Sequence, residues 1–156
     1  MRFSSISGLL ALLCASLQVA TAAANCSVSV SSLAFGAHST ISGLPTDSTG
    51  TIGVTCSGNV GDSASYTILL GTGNGSFSSR QMSSGPNGLA YNIFADASYS
   101  SALGDGTNST VTLSNSYALS SLSQTTNHAI YGRIFAGQTS LPAGSYSDTI
   151  VVTLEY

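Results

Sequence analysis

His38, His128, six carboxylates and three cysteines are the side chains from which a reactive centre would have to be assembled. A histidine serves as a general base or a metal ligand when an acid or a second ligand stands close to it in a motif. His38 and His128 lie far apart, and neither has acids spaced around it. Asp96 and Asp105 could bind calcium together with nearby carbonyls, yet acids at such turns are more commonly plain exposed loop residues. Serine is abundant, but no G-x-S-x-G elbow is present to activate one as a nucleophile. The runs Gly71-Thr72-Gly73-Asn74-Gly75 and Gly104-Asp105-Gly106 look like phosphate cradles in glycine content alone. Neither opens a helix or carries a lysine, so both read as turns. The chain is not read as an enzyme, and neither a metal nor a cofactor is expected. Arg80 and Arg133 are each expected to pair with an acid or to pack a stem on a sheet.

The cysteines point to a different chemistry. Residues 1–22 read as a secretory signal peptide: Arg2 makes a positive start, Gly8 to Val19 form a short apolar core, and Ala20 and Ala22 supply an A-x-A cleavage pattern. The apolar run falls short of the roughly 20 residues a membrane-spanning helix needs, so no membrane span is expected. Cutting after Ala22 is the first choice and after Ala24 the second; neither Cys14 nor Cys26 follows the small residue that lipoprotein processing requires. Cys14 leaves with the leader, and Cys26 and Cys56 remain as an even pair in a compartment where disulfides form. They are expected to pair, stabilising the fold by roughly 3 to 4 kcal/mol on the chain-entropy model. Two distant thiols lack the close grouping of a zinc site.

Residues 23–156 are then one ordinary domain. They contain no lysine or tryptophan, and two arginines stand against six acids, so nucleic acid is excluded as a partner for want of clustered positive charge. Regularly spaced Val, Ile, Leu, Phe and Tyr argue that a core forms despite the Ser, Thr and Gly content.

The elements that must position these residues are strands. Apolar residues alternate at period two, with turn residues between the runs. Val28 and Val30 lead to Leu33 and Phe35. Ile52, Val54 and Cys56 share a face, as do Tyr66, Ile68 and Leu70, and then Leu89, Tyr91, Ile93 and Ala95. Ile130 and Ile134 flank Gly132, and Ile150, Val152, Leu154 and Tyr156 alternate to the last residue. Six strands are predicted, with Thr110 to Leu122 ambiguous between one and two short ones. Loops fall at Gly43 to Gly50, Gly58 to Asp62, Gly71 to Ser76, Gly85 to Gly88, Gly104 to Gly106 and Pro142 to Gly144. The spacing predicts a sandwich of two antiparallel sheets.

The strongest strand is the last, and its outer edge has no obvious partner. Such an edge invites another chain unless charge, proline or a covering loop blunts it. Either the edge is covered by another part of the fold, or it is completed from outside.

Several segments occur in a recognisable order: Cys26, LAFGAH at Leu33 to His38, TGTIGVTC at Thr49 to Cys56, SRQMSSG at Ser79 to Gly85, LAYNIFAD at Leu89 to Asp96, GDG at Gly104 to Gly106, YGRIFAGQ at Tyr131 to Gln138, and AGSYSDTIVVTLEY at Ala143 to Tyr156. Together they resemble the spore coat protein U family, which includes the pilus subunits of archaic chaperone-usher systems in Gram-negative bacteria. The resemblance implies an all-β, incomplete immunoglobulin-like sandwich whose final strand is missing and supplied in trans. A periplasmic pilus chaperone lends that strand first; at an outer-membrane usher, a neighbouring pilus subunit replaces it by donor-strand complementation. Ile150, Val152, Leu154 and Tyr156 would line the strand engaged by chaperone and donor, with the carboxylate of Tyr156 anchored by basic chaperone residues.

Two departures from the family pattern stand out. Polymerising subunits carry a donor segment before the first cysteine, whereas cleavage here leaves Ala23, Ala24 and Asn25 or less, implying a strand acceptor at a fibre end or outside fibres altogether. Relatives often have tryptophan before the Gly-Asp-Gly turn, and here Leu103 is expected to be the smaller apolar anchor. The implied protein passes through the periplasm to the cell surface or medium. The alternatives are a stand-alone secreted adhesin or carbohydrate-binding module, and a small outer-membrane barrel, which the disulfide pair and the short serine-rich runs disfavour.

Overall fold

The computed structural model describes residues 23–156; the expected leader, residues 1–22, lies outside them. Among the described residues there are eight strands and no helix: β1 (Asn25–Val30), β2 (Thr46–Ser57), β3 (Ser63–Leu70), β4 (Arg80–Ser84), β5 (Asn87–Phe94), β6 (Leu113–Ala118), β7 (Ser123–Ile134) and β8 (Val152–Glu155). They form a five-stranded sheet, β1-β2-β7-β5-β4, and a three-stranded sheet, β6-β3-β8, with every neighbouring pair antiparallel. This is an all-β, incomplete immunoglobulin-like sandwich.

Alternation dictates the layering. Along β3, Ala64, Tyr66, Ile68 and Leu70 are buried while Ser63 and Ser65 face solvent. The opposing sheet answers with Ile52, Val54 and Cys56 of β2, Tyr91 and Ile93 of β5, and Ile130 and Ile134 of β7. Each such side chain contributes roughly 1.5 to 3 kcal/mol by leaving water. Cys26 and Cys56 sit directly opposite each other on β1 and β2 and are disulfide-bonded, which ties the edge strand to the sheet. Leu103 is fully buried ahead of the Gly104-Asp105-Gly106 turn, in the role expected of it.

Eight strands replace the six expected, for identifiable reasons. β4 escapes hydropathy because a buried arginine stands where an apolar residue would signal the strand: Arg80 and Met82 point inward, Gln81 and Ser83 outward. Its hairpin to β5 turns on two residues, Gly85 and Pro86, with Ser84 facing Asn87 and Gly85 at φ +59°, so the expected loop at Gly85 to Gly88 is half strand. β2 begins at Thr46, inside the expected loop Gly43 to Gly50, and β7 reaches back to Ser123. That extension is written in hydroxyls: Thr55 Oγ1 and Thr125 Oγ1 are 2.8 Å apart, and Ser57 Oγ donates to Ser123 Oγ at 3.3 Å. The ambiguous segment becomes one strand, β6, followed by buried Leu119 and by Leu122, which is 70% exposed. The final strand runs from Val152 to Glu155, leaving Ile150 and Tyr156 outside it; its ladder with β3 ends at the Leu70–Val152 pair, with one further backbone bond from Gly71 N–H to Val151 O.

Candidate functional site

Leu33 and Phe35 lie beyond the end of β1, yet they shape an apolar cleft between the two sheets. Their segment follows the outer part of β2: Ser31 N–H donates to Thr51 O at 2.9 Å, and Ser48 Oγ donates to Ala34 O at 2.6 Å. Both side chains press onto the inner face of the five-stranded sheet at Gly132, where a Cβ would overlap Leu33 and stand 2.8 Å from Phe35 Cζ. Phe35 also meets Tyr91 edge-on, at 5.8 Å between ring centroids. This segment and β1 form one rim of a groove.

The other rim is the chain that leads into β8. It begins at the edge of the five-stranded sheet, where Ser147 and Ser83 exchange backbone hydrogen bonds of 3.2 and 2.8 Å, and then crosses to the other sheet, where Gly71 N–H donates to Val151 O at 2.9 Å. The glycine-rich run after β3 is the seat for that crossing. A Cβ on Gly73 would overlap Asp148 and Ile150, and Asn74 N–H donates to Asp148 Oδ1 at 3.1 Å. Asp148 also accepts the hydroxyl of Tyr91 at 2.8 Å. Burial, and then the carboxylate beside it, hold the Tyr91 phenol well above its ordinary range.

Between the rims lies an apolar cleft with Ile52, Leu70, Met82, Tyr91, Ile93 and Ile130 among its lining. Of the residues expected to line the terminal strand, Ile150, Val152 and Leu154 are half-buried and pack against the core, whereas Tyr156 is 65% exposed. β8 pairs with β3 along one edge, β1 pairs with β2 along one edge, and among the described residues no bridge joins β1 to β8. Leu33, Phe35 and Tyr146 are groove residues that the reading of the sequence left unassigned; the signal for the first two was the alternation continuing past Val30.

One buried cation braces the site. Arg80 has no exposed surface and, of the two arrangements expected for it, does not take the one with an acid; its guanidinium donates to Gly71 O at 2.9 Å, to Leu103 O at 2.8 Å and to Asn92 Oδ1. A planar fork with five N–H groups suits this task, since it satisfies carbonyls from three separate segments at once. Burial lowers its pKa.

The remaining candidates are dispersed. His38 bonds Thr46 Oγ1 at 2.8 Å, and His128 bonds the Tyr66 hydroxyl at 2.9 Å across the core, where burial depresses its basicity. Arg133 pairs with an acid, one of the two arrangements expected for it: it meets Asp47 at 2.6 Å and lies 3.6 Å over the Tyr99 ring. Asp96 accepts N–H groups of Ser98, Ser100 and Ser101, and Asp105 those of Thr107, so both carboxylates organise their own turns and titrate below the usual range.

The profile of the Spore Coat Protein U domain matches residues 10–153. The chain belongs to the spore coat protein U domain family. Among solved structures, a chain of the CsuC-CsuE chaperone-tip adhesion subunit pre-assembly complex, from the archaic chaperone-usher Csu pili of Acinetobacter baumannii, is similar at 24% identity and a TM-score of 0.55. The match covers 85% of this chain and 40% of that one, so this spore coat U chain spans less than half the length of its structural relative. At that identity the likeness is one of fold. No curated protein matches the sequence.

Proposed function

We propose that this protein is an exported structural subunit of a chaperone-usher pilus or coat, and that its groove accepts a β-strand from another polypeptide. The observation that carries this reading is the pair of facing strand edges, β1 and β8, each paired on one side and separated by an apolar floor. An inserted strand would satisfy backbone groups on both edges and bury alternate side chains between them, which is β-augmentation. Ile150, Val152 and Leu154 would form the inner face of the accepting rim. Exposed Tyr156 would present its carboxylate to a basic group on a chaperone. The partners in this reading are a periplasmic pilus chaperone, an outer-membrane usher and neighbouring subunits, and the protein is not an enzyme.

The acceptor role without a donor role is also proposed, and it rests on residues 23–24. Ala24 is 6% exposed, its N–H donates to Ser63 O at 2.9 Å, and Ala23 forms a bridge to the same residue. A leader cut after Ala22 therefore leaves residues occupied in their own sheet.

The test is periplasmic expression with and without the chaperone of a chaperone-usher system that assembles subunits of this family. The subunit is expected to accumulate as a one-to-one complex with the chaperone and to be degraded or aggregate alone. A stable soluble monomer in its absence would support the stand-alone adhesin instead. Sequencing the N-terminus of the recovered chain tests the leader boundary, with Ala23 the expected first residue.

A further inference from the structure

Backbone pairing and side-chain burial do not cover the same length of this groove. Ladder partners require extended, unoccupied backbone on the rims. On one rim that stretch ends at Gly36, whose φ of +67° takes the chain out of the extended region. On the other rim it ends at Ser147, whose N–H and carbonyl are already exchanged with Ser83 of β4 and ahead of which the chain bends at Ala143 and Gly144. The apolar cleft nevertheless continues past both points. There it opens into a chamber of about 640 Å³, against about 320 Å³ for the stretch beside β8, and the two share Leu33, Phe35, Met82 and Tyr146. Leu89 and Ile134, 5% and 2% exposed, line the chamber, and neither a carboxylate nor a guanidinium does.

We infer that the segment this groove takes has two parts: an alternating apolar run that pairs along β8, and beyond it one aromatic side chain that seats in the chamber framed by Leu141 and Tyr146. The inference rests on the strand-acceptor reading and adds to it the chemistry of the occupant. The run supplies hydrogen bonds, which are indifferent to sequence. The anchor supplies burial where no ladder is possible, so it is the position that distinguishes one donor from another. A charged residue there would be desolvated with no ionised partner, the His38 ring, already bonded to Thr46 Oγ1, being the one titratable group of the lining other than Tyr146. The lining predicts discrimination against it.

Three labelled synthetic peptides test this on the mature protein refolded with each in excess: an eight-residue run alternating Val and Thr, the same run with a Trp two residues beyond its N-terminal end, and the same with a Trp two residues beyond its C-terminal end. One tryptophan peptide is expected to bind at least about tenfold tighter than the plain run, the gain of burying one large apolar side chain. Leu141→Trp, which fills the chamber, is expected to remove that gain and leave the plain run's affinity unchanged. Three affinities within a factor of about two of one another would overturn the inference, as would a Leu141→Trp variant that weakens all three alike. The comparison on the unaltered protein decides the matter even where that variant does not fold. Failure of all three peptides to bind would remove the strand-acceptor reading itself, and this inference with it.

Discussion

The hydroxyl of Tyr91 donates to Asp148 Oδ2 at 2.8 Å, joining the inner face of the five-stranded sheet to the crossing segment that leads into β8. Position and chemistry meet in this bond, because the same carboxylate also receives the Asn74 N–H from the glycine-rich loop. One acid thereby holds three segments at the mouth of the groove.

Ionising Tyr91 would break that arrangement, and the sign of the pH effect follows from the raised phenol. Its folded pKa lies above the ordinary value of 10.0, so the native chain binds this proton more tightly than the unfolded chain. The stabilisation is complete below pH 10.0 and is lost as pH rises from there towards the folded pKa. Tyr91→Phe is expected to cost about 1 to 2 kcal/mol at neutral pH and to flatten the alkaline fall. Urea midpoints from pH 7 to 11 check both.

Acid should find a second weak point in His128. Burial lowers its pKa below 6.5, so the unfolded chain takes up the proton first. Its contribution is full above pH 6.5 and declines as pH falls. Imidazole titration followed by NMR is expected to give a folded pKa below that of the unfolded chain, and His128→Gln is expected to reduce the acid sensitivity of the melting temperature.

Replacing Arg80 is expected to be the most damaging single change at the site. Arg80→Met leaves the Gly71 and Leu103 carbonyls without their donor, a loss on the order of 3 kcal/mol. Arg80→Lys should fare little better, because an ammonium cannot reproduce the fork. Comparable denaturation midpoints for the lysine variant and the unaltered protein would contradict this account.

A methyl group at Gly132 tests the facing rim. Gly132→Ala must displace Leu33 and Phe35, with an expected loss of about 1 to 3 kcal/mol. Chaperone capture should fall further than stability does, which co-purification yields normalised to melting temperature would reveal.

The sheets were legible wherever apolar residues alternate, as along Tyr66, Ile68 and Leu70, and at the disulfide, where two cysteines were left to pair. Legibility failed where polar groups perform apolar tasks. Arg80 hides a strand because its charge is satisfied by carbonyls distant in sequence, and the first half of β7 is held by hydroxyl pairs that no hydropathy pattern registers. The alternation of β8 drew attention to its outer edge, which has no ladder partner among the described residues. The opposite rim was not foreseen, since Leu33 and Phe35 acquire their role from a glycine on β7 about a hundred residues away.

The threonine and serine pairs that join β2 to β7 have a colloidal consequence. Outer faces surfaced with hydroxyls in place of ions give neighbouring molecules little long-range repulsion to overcome and little for salt to screen. The solubility of this protein should therefore change little between fresh water and brine.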